Sequence, residues 1–207
     1  NYVVGDFANP GTAKKIIDKT LKILGKLNVL VCNVGQSNGN PPNHESFLDW
    51  QRMFSQNFFT ASNAIECSKK ELIKQKGFIV CISSGAGNKF IKGAPISYST
   101  AKAALTFYAK SLAFYLGRHG VNLNIIAPGN TFFKGSTWEK KIKKNRNKVK
   151  KLIKETVPLN RFGNTEEIAS LVSYLISEKA EFIIMTNRIT NSTGLINCFD
   201  KYKGEDV

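Results

Sequence analysis

Short, continuously apolar runs alternate along this chain with longer segments whose apolar positions follow helical spacing. Val29–Cys32, Phe78–Ser83 and Val121–Ala127 have the length of strands, and their apolar residues are mostly consecutive. Such runs are typical of parallel strands that are covered on both faces. Val3–Gly5 resembles the end of an earlier strand, and Leu195–Phe199 is compatible with a last one.

The segments between these runs carry residues that favour helix starts and stops. The predicted helices extend from Asn9-Pro10 to about Gly25, from about Phe47 to Lys74, from Tyr98 to about Gly117, over Trp138–Glu155, and over Thr165–Ser177 with Thr165 as the N-cap. Alternating strands and helices predict an α/β fold with an open parallel sheet and helices on both faces. No internal repeat or linker interrupts the pattern, so residues 1–207 are predicted to form a single domain.

Composition and charge narrow the function classes. A hydrophobic fraction of 42% and the lack of any apolar run of membrane-spanning length favour a globular protein without a membrane partner. The four cysteines (Cys32, Cys67, Cys81 and Cys198) lack metal-ligand spacing, which favours reduced thiols, no metal site and a cytoplasmic location. The net charge of +15 would suit nucleic acid, but arginine is scarce and no nucleic-acid-binding motif is present, so no such partner is expected.

A phenol and an ammonium group occur four residues apart in the predicted helix that begins at Tyr98. Tyr98 and Lys102 would therefore lie on one face, one turn apart. Lowering a tyrosine pKa from about 10 to about 7 takes roughly 4 kcal/mol. One cation about 4 Å away supplies about that much at an effective dielectric near 20. The pair is a candidate general acid/base, although this spacing is common on helix surfaces.

Further landmarks flank this pair in a consistent order. An apolar strand leads into the turn Asn33-Val34-Gly35, the segment Trp50–Asn57 places an amide within a helix, Ser83-Ser84 follows the strand before Tyr98, and Pro128-Gly129 ends the next strand. In order and spacing, these landmarks resemble the short-chain dehydrogenase/reductase family, of the type that includes 3-oxoacyl-carrier-protein reductases. The resemblance covers most of the chain and implies a doubly wound, Rossmann-like sheet.

The resemblance also implies four catalytic residues. Tyr98 would exchange a proton with the substrate oxygen, while Lys102 would lower the pKa of Tyr98 and hydrogen-bond the nicotinamide ribose. Ser84 would hydrogen-bond the substrate oxygen, with Ser83 as the alternative because the loop before Tyr98 is one residue longer than is usual in the family. Asn57 would kink its helix and hold a water in the proton relay to Lys102.

A site for NAD or NADP follows from the same resemblance. The residues that would form it are Asp6, Asn33, Val34, Gly35, Tyr98, Lys102, Pro128, Gly129 and Thr131. Asp6 and the turn from Asn33 to Gly35 would lie on the adenosine side, and the segment from Pro128 to Thr131 on the nicotinamide side. Cys32 and Val34 replace a usual asparagine and alanine, so weaker binding is expected.

The family also has a glycine-rich T-G-x-x-x-G-x-G turn that binds pyrophosphate, and this sequence contains no such motif. We therefore expect an N-terminally truncated member that lacks the first βαβ portion and the residue that separates NAD from NADP. Val29–Cys32 would then form an apolar sheet edge, and this chain alone would bind dinucleotide poorly and be inactive. At the other end, Ile184–Ser192 resembles an insertion before the expected strand end near Asp200.

The segment Asn130–Trp138 matches the start of a mobile substrate lid in relatives. It is followed by seven lysines: Lys140, Lys141, Lys143, Lys144, Lys148, Lys150 and Lys151. We interpret them as a solvated helix face, and the alternative is attraction of an acidic substrate or carrier. His44 and His119 match no landmark and are predicted to lie at the surface.

The predicted function is hydride transfer between a nicotinamide cofactor and a carbonyl or alcohol, with an acyl thioester among the substrate classes and a homo-oligomeric parent (dimer or tetramer). One alternative is a non-catalytic or defective truncated relative without a complete cofactor site. Another is a basic binding module, which would be retained on nucleic acid in a steeply salt-dependent way. The joint presence of Asn57, Ser84, Tyr98 and Lys102 favours the enzyme.

Overall fold

Four parallel strands form the sheet at the centre of the structure. The computed structural model describes residues 2–184 and 187–189. The strands are β1 (Val29–Cys32), β2 (Phe78–Ile82), β3 (Asn122–Ala127) and β4 (Asn187–Ile189), and they are hydrogen-bonded in the order β1-β2-β3-β4. Cys32 is paired with Cys81, and Cys81 with Ile125, so the carboxyl ends of the strands meet at one edge. The predicted parallel α/β sheet is confirmed.

Seven α-helices and one π-helical turn surround the sheet in the described part of the chain. They are α1 (Pro10–Leu24), α2 (Phe47–Phe54), the π-turn (Ser55–Phe59), α3 (Thr60–Gln75), α4 (Ile96–Gly117), α5 (Thr137–Lys144), α6 (Arg146–Thr156) and α7 (Thr165–Leu175). The helix predicted from Phe47 to Lys74 is therefore α2, the π-turn and α3 in one continuous run. In this part of the molecule no helix has the length and apolar character needed to cross a membrane.

Side chains of β2 and β3 alternate between two apolar cores, because successive residues of a strand point to opposite faces. On one face Ile79 and Ile125 pack with α3 and α4 in the larger core. On the other face Val80 and Ile126 pack with Leu175 of α7. The sheet is thus covered on both sides, as the consecutive apolar residues predicted.

Two local helix predictions are wrong. The stretch Trp138–Glu155 is not one helix, since the extended backbone of Asn145 separates α5 from α6 and its side chain accepts a hydrogen bond from the Lys148 amide at 2.9 Å. The N-cap of α7 is Asn164 rather than Thr165. Asn164 forms a reciprocal capping box with Glu167, with hydrogen bonds of 2.8 and 2.9 Å.

The two ends of the sheet also differ from prediction. Val3–Gly5 is not a strand, and Gly5 instead lies against Ile16 of α1. Part of the segment Ile184–Ser192, interpreted as an insertion, forms β4 and pairs with β3. The strand predicted at Leu195–Phe199 lies outside the described residues, as does Asp200.

Strand β1 lies at one edge of the sheet, which agrees with the predicted apolar edge. Among the described residues it pairs with β2 alone. The side chain of Val31 is 40% exposed there, although three of the four strand residues are aliphatic. A short strand of this kind leaves backbone donors and acceptors available for pairing.

Replacement of Asn164 by alanine should destabilise the protein by about 1 kcal/mol, because the capping box at the start of α7 is lost. Thr165→Ala is the matched control and should cost less, since the Thr165 hydroxyl only contacts the neighbouring Glu166 at 3.0 Å. Urea unfolding of both variants measures the difference. Equal losses would contradict the assignment of Asn164 as the cap.

Candidate active site

The two serines after β2 have different surroundings. The hydroxyl of Ser83 is buried and donates to the backbone oxygen of Lys102 at 3.1 Å, and it lies 2.7 Å from the hydroxyl of Thr106. Ser84, the next residue, is hydrogen-bonded to the phenol of Tyr98. Its oxygen also accepts from the Ala86 amide at 3.2 Å. Ser84 is therefore the serine that lies beside Tyr98, and Ser83 attaches the end of β2 to α4.

Lys102 is buried and attached to β2 at both its side chain and its backbone. Its ammonium donates to the carbonyl oxygen of Ile82 at 2.9 Å, and its side chain is 3% exposed. A Cβ atom added at Gly87 would lie 2.7 Å from the Lys102 carbonyl carbon, so the loop after Ser84 can approach α4 this closely only with glycine. Together with the Ser83 contact, these interactions fix α4 across the carboxyl end of β2.

The predicted effect of Lys102 on Tyr98 is wrong in this structure. Burial raises the pKa of the half-buried Tyr98 phenol, and its hydrogen bond to Ser84 offsets only part of that rise. Burial also lowers the pKa of Lys102 to about 8. The physical reason is that the ammonium is directed to the Ile82 carbonyl, while both groups lose contact with water.

Two buried thiols lie close to Lys102. Cys32 and Cys81 are free, as predicted, and occupy paired positions on β1 and β2. The hydrogen bond to Cys81, together with burial, raises the pKa of Cys32 well above its ordinary value. The Cys32 thiol therefore stays neutral and does not supply a counter-charge to Lys102 at neutral pH.

Asn57 lies in the π-turn and is fully buried. Its side-chain amide donates to the Gln36 carbonyl at 2.9 Å and to the Met53 carbonyl at 3.0 Å, and its oxygen accepts from the Gln36 amide at 3.0 Å. A π-turn displaces one carbonyl from the regular helical pattern, and here Asn57 satisfies that of Met53. A π-turn thus lies where a kink at Asn57 was predicted, and the water-holding role of Asn57 stays a prediction.

Gly35 is the point at which three elements converge. A Cβ atom added there would lie 2.8 Å from the Asn57 side-chain oxygen and 2.8 Å from the Lys102 ammonium. The loop after β1, the π-turn and α4 can therefore approach each other only if residue 35 has no side chain. This places Asn57 and Lys102 on either side of one backbone position.

The segment after β3 joins the same region. The Pro128 carbonyl accepts from the Gly85 amide at 3.0 Å, next to Ser84, and Gly129 continues the turn. Thr131 forms a parallel bridge with Gly163, in which Asn130 and Phe132 supply the hydrogen-bonding groups. In this geometry the amide and carbonyl of Thr131 itself point away from Gly163, as a backbone contact to a ligand would require.

The remaining predicted cofactor residues surround a separate cavity of about 410 Å³. It is lined by Asp6, Ala8, Val34, Gly35, Gln36, Arg52, Ser55, Gln56 and Thr60. Asn33 is exposed in the adjoining turn. The carboxylate of Asp6 accepts from the Ala8 amide at 2.8 Å, at the start of a turn. Gly35 thus lies between this cavity and Lys102.

Two residues of this region, Glu45 and Gln56, were not predicted from the sequence. Glu45 accepts hydrogen bonds from the amide and hydroxyl of Ser97 at 2.8 and 3.1 Å, and so caps the helix that carries Tyr98. No local signal indicates this cap, because the partners are 52 residues apart. Gln56 lines the cavity, and its position directly before Asn57 was the available signal.

The surface predictions agree with the structure. The seven lysines that follow the predicted lid are exposed, as are His44 and His119. Ser37 contacts Thr137 at 3.2 Å and so connects the loop after β1 to the start of α5. In the described ranges, no group of three or more His, Cys, Asp or Glu side chains could hold a metal ion.

Comparisons with known proteins show which family this chain belongs to. A family model described as enoyl-(acyl carrier protein) reductase matches residues 1–192. The 3-oxoacyl-(acyl-carrier-protein) reductase of Aquifex aeolicus is 33% identical over 172 residues, which are 82% of this chain and 66% of that relative. An uncharacterized oxidoreductase of Thermotoga maritima is 31% identical over 199 residues, 93% of this chain and 75% of the relative.

A solved structure shares the fold. The crystal structure of NAD+-bound xylitol dehydrogenase superposes with a TM-score of 0.84 at 22% identity, covering 91% of this chain and 77% of that one. The chain spans slightly less than two thirds of the first relative's length and about three quarters of the others. Because a family model matches nearly the whole chain, the chain belongs to the short-chain dehydrogenase/reductase family.

Proposed function

We propose that this protein takes part in hydride transfer between a nicotinamide cofactor and a carbonyl or alcohol substrate, with Tyr98 as the general acid/base. The observation that carries the proposal is the Ser84–Tyr98 hydrogen bond at the carboxyl end of β2, next to the buried Lys102. Substrates of open α/β sheets bind at this end of the strands. A small-molecule carbonyl, an alcohol and an acyl thioester all present the oxygen that such a pair could hold.

The residues present fit a nicotinamide dinucleotide. Asp6, Val34 and Gly35 line one cavity and would hold the adenosine half. The outward-directed backbone of Thr131 would hold the nicotinamide end. When bound, the cofactor supplies or accepts the hydride. The xylitol dehydrogenase that shares this fold was solved with NAD+, which supports this cofactor class.

Tyr98 is protonated at neutral pH, since burial raises its pKa. In the reducing direction its phenol would donate a proton to the substrate oxygen, and the Ser84 hydroxyl would hold that oxygen in place. The phenolate left behind would accept a hydrogen bond from the Ser84 hydroxyl after the product leaves. The side chains of Lys102 and Asn57 both lie next to Gly35. Together they would offer a route for the proton that restores the Tyr98 phenol.

Tyr98→Phe should reduce turnover by about 10²–10⁴-fold with only a small loss of stability, because the proton donor and its hydrogen bond to Ser84 are removed while the ring remains. Ser84→Ala should also lower turnover strongly. Both are measured as NAD(P)H-dependent carbonyl reduction by the protein made from its complete coding sequence.

Ser83→Ala is the matched control for the serine. It should cost about 1 kcal/mol of unfolding free energy through the lost contact with α4, while most of the turnover is retained. Unchanged activity of Tyr98→Phe would refute the acid/base role and favour a non-catalytic relative. A greater loss of activity in Ser83→Ala than in Ser84→Ala would refute the serine assignment.

Gly35→Ala should abolish most of the activity, since the added methyl group would lie within 2.8 Å of the Asn57 oxygen and the Lys102 ammonium. Gly117→Ala is the control, because the nearest atom to an added Cβ there is Ile184 Cδ1 at 3.9 Å. Turnover and thermal unfolding are compared for the two variants. Full activity of Gly35→Ala would contradict the close approach of Asn57 and Lys102 at residue 35.

Lys102→Met should change the pH dependence of stability. Burial lowers the Lys102 pKa from 10.5 to about 8, so between these values the unfolded chain binds a proton that the folded chain does not. The cost of burying the ammonium is therefore fully present below pH 8, and the free energy of unfolding rises with pH across this window. Relative to Lys102→Met, the wild type should gain about 3 kcal/mol. Urea unfolding across the window measures this, and parallel curves would contradict it.

A further inference from the structure

The first turn of α4 carries Tyr98, which is the third residue of this helix. In the described part of the chain, Pro95 at the N-cap position supplies no side-chain hydrogen bond to this turn. The amides of a first helical turn have no partner within the helix, and helix ends without a cap fray. The attachment of Lys102 to β2 lies one turn further along. The position of Tyr98 therefore depends on a separate contact with the first turn.

Glu45 makes this contact from the loop after β1. Its Oε1 accepts hydrogen bonds from the Ser97 amide at 2.8 Å and from the Ser97 hydroxyl at 3.1 Å. Its Oε2 accepts from the Asn43 amide at 3.0 Å, within its own loop. Ser97 is fully buried, so both of its donors depend on a partner in the protein. The carboxylate thus joins this loop to the residue directly before Tyr98.

The negative charge of Glu45 suits this position. A carboxylate at a helix N-terminus is stabilised by the partial positive charge of the first amides. Burial alone would raise the pKa of Glu45, but the hydrogen bonds from Ser97 and Asn43 outweigh it and lower the pKa below its ordinary value. The side chain is therefore ionised at neutral pH, and an ionised acceptor forms stronger hydrogen bonds than a neutral one.

The loop that carries Glu45 is itself fixed on both sides of this residue. After it, the buried carboxylate of Asp49 accepts from the Ser46 amide at 2.9 Å. Before it, a Cβ atom added at Gly39 would lie 3.2 Å from the Cβ of Pro95, so the loop packs closely against the residue that precedes α4. A contact can hold a helix in place only if its other end is held as well, and Glu45 meets this condition.

We propose that Glu45 is a positioning residue for the reaction, whose carboxylate holds the first turn of α4 so that the phenol of Tyr98 stays beside Ser84. The inference rests on the proposed function, in which Tyr98 exchanges a proton with the substrate oxygen. Both carboxylate oxygens of Glu45 are used within the protein, by Ser97 and by Asn43. Glu45 therefore acts on the reaction through the placement of Tyr98.

NMR titration of this chain with isotope-labelled tyrosine tests the placement of Tyr98, and Tyr98→Phe identifies its signal. In the wild type, burial raises the pKa of Tyr98 above its ordinary value of 10.0. Glu45→Ala should let water reach the phenol and so lower this pKa towards 10.0. Glu45→Gln keeps one acceptor oxygen for Ser97 and should give a smaller shift.

Asn164→Ala is the matched control, because it removes a side-chain cap from α7, a helix that does not carry Tyr98. Both Glu45→Ala and Asn164→Ala should lower the melting temperature, since each loses a helix cap. Only Glu45→Ala should shift the titration of Tyr98. Equal shifts in the two variants would overturn the proposal, because they would reflect a general loss of stability.

Turnover of the protein made from its complete coding sequence gives the second readout. Glu45→Ala should lower kcat about 10–100-fold with little change in KM, because a displaced proton donor slows the chemical step. Glu45→Gln should recover part of this loss. An unchanged kcat or an unchanged Tyr98 titration in Glu45→Ala would overturn the proposal and leave the proposed function intact. Full activity of Tyr98→Phe would overturn both.

Discussion

The attachment of α4 to the carboxyl end of β2 is the constraint on which the site depends. Lys102 makes this attachment twice, since its ammonium donates to the Ile82 carbonyl and its own carbonyl accepts from the Ser83 hydroxyl. Gly87 allows the loop between them to contact the backbone of α4. With these two elements fixed, Ser84 and Tyr98 can only meet in front of the sheet. The geometry of the candidate acid/base is therefore a consequence of backbone contacts.

Several features of the site cost stability. An ammonium with 3% exposure loses most of its hydration, and one carbonyl contact restores only part of it. The side-chain oxygen of Gln56, which has no hydrogen-bond partner among the described residues, and the exposed Val31 of β1 also cost stability. Groups that destabilise a fold while surrounding one cavity and one strand end are typical of functional sites. These destabilising groups lie in the region where the family resemblance places the active site.

The sequence predicted those features that depend on residues close together along the chain. The four-residue spacing of Tyr98 and Lys102 required only that their segment be helical, and consecutive apolar residues indicated the buried strands. The predicted cap of α7 is one residue too late, because Asn and Thr both cap helices and only the reciprocal bond with Glu167 identifies Asn164. The break at Asn145 was missed because lysines on both sides continue the helical pattern.

Other properties depended on distant residues and could not be read from the sequence. The cap that Glu45 provides for α4 joins the loop after β1 to a helix 52 residues later. The direction of the Tyr98 pKa shift depended on burial and on the orientation of the Lys102 ammonium, neither of which follows from spacing alone. The choice between Ser83 and Ser84 depended on where β2 ends, because adjacent residues face opposite sides.

The burial of Lys102 against β2 is the central claim, and NMR titration of protein with isotope-labelled lysine side chains tests it most directly. We predict one lysine signal with a pKa of about 8 that is absent from the spectrum of Lys102→Met. If every lysine signal titrated near 10.5, the ammonium of Lys102 would be solvated, and the account of the site would be contradicted.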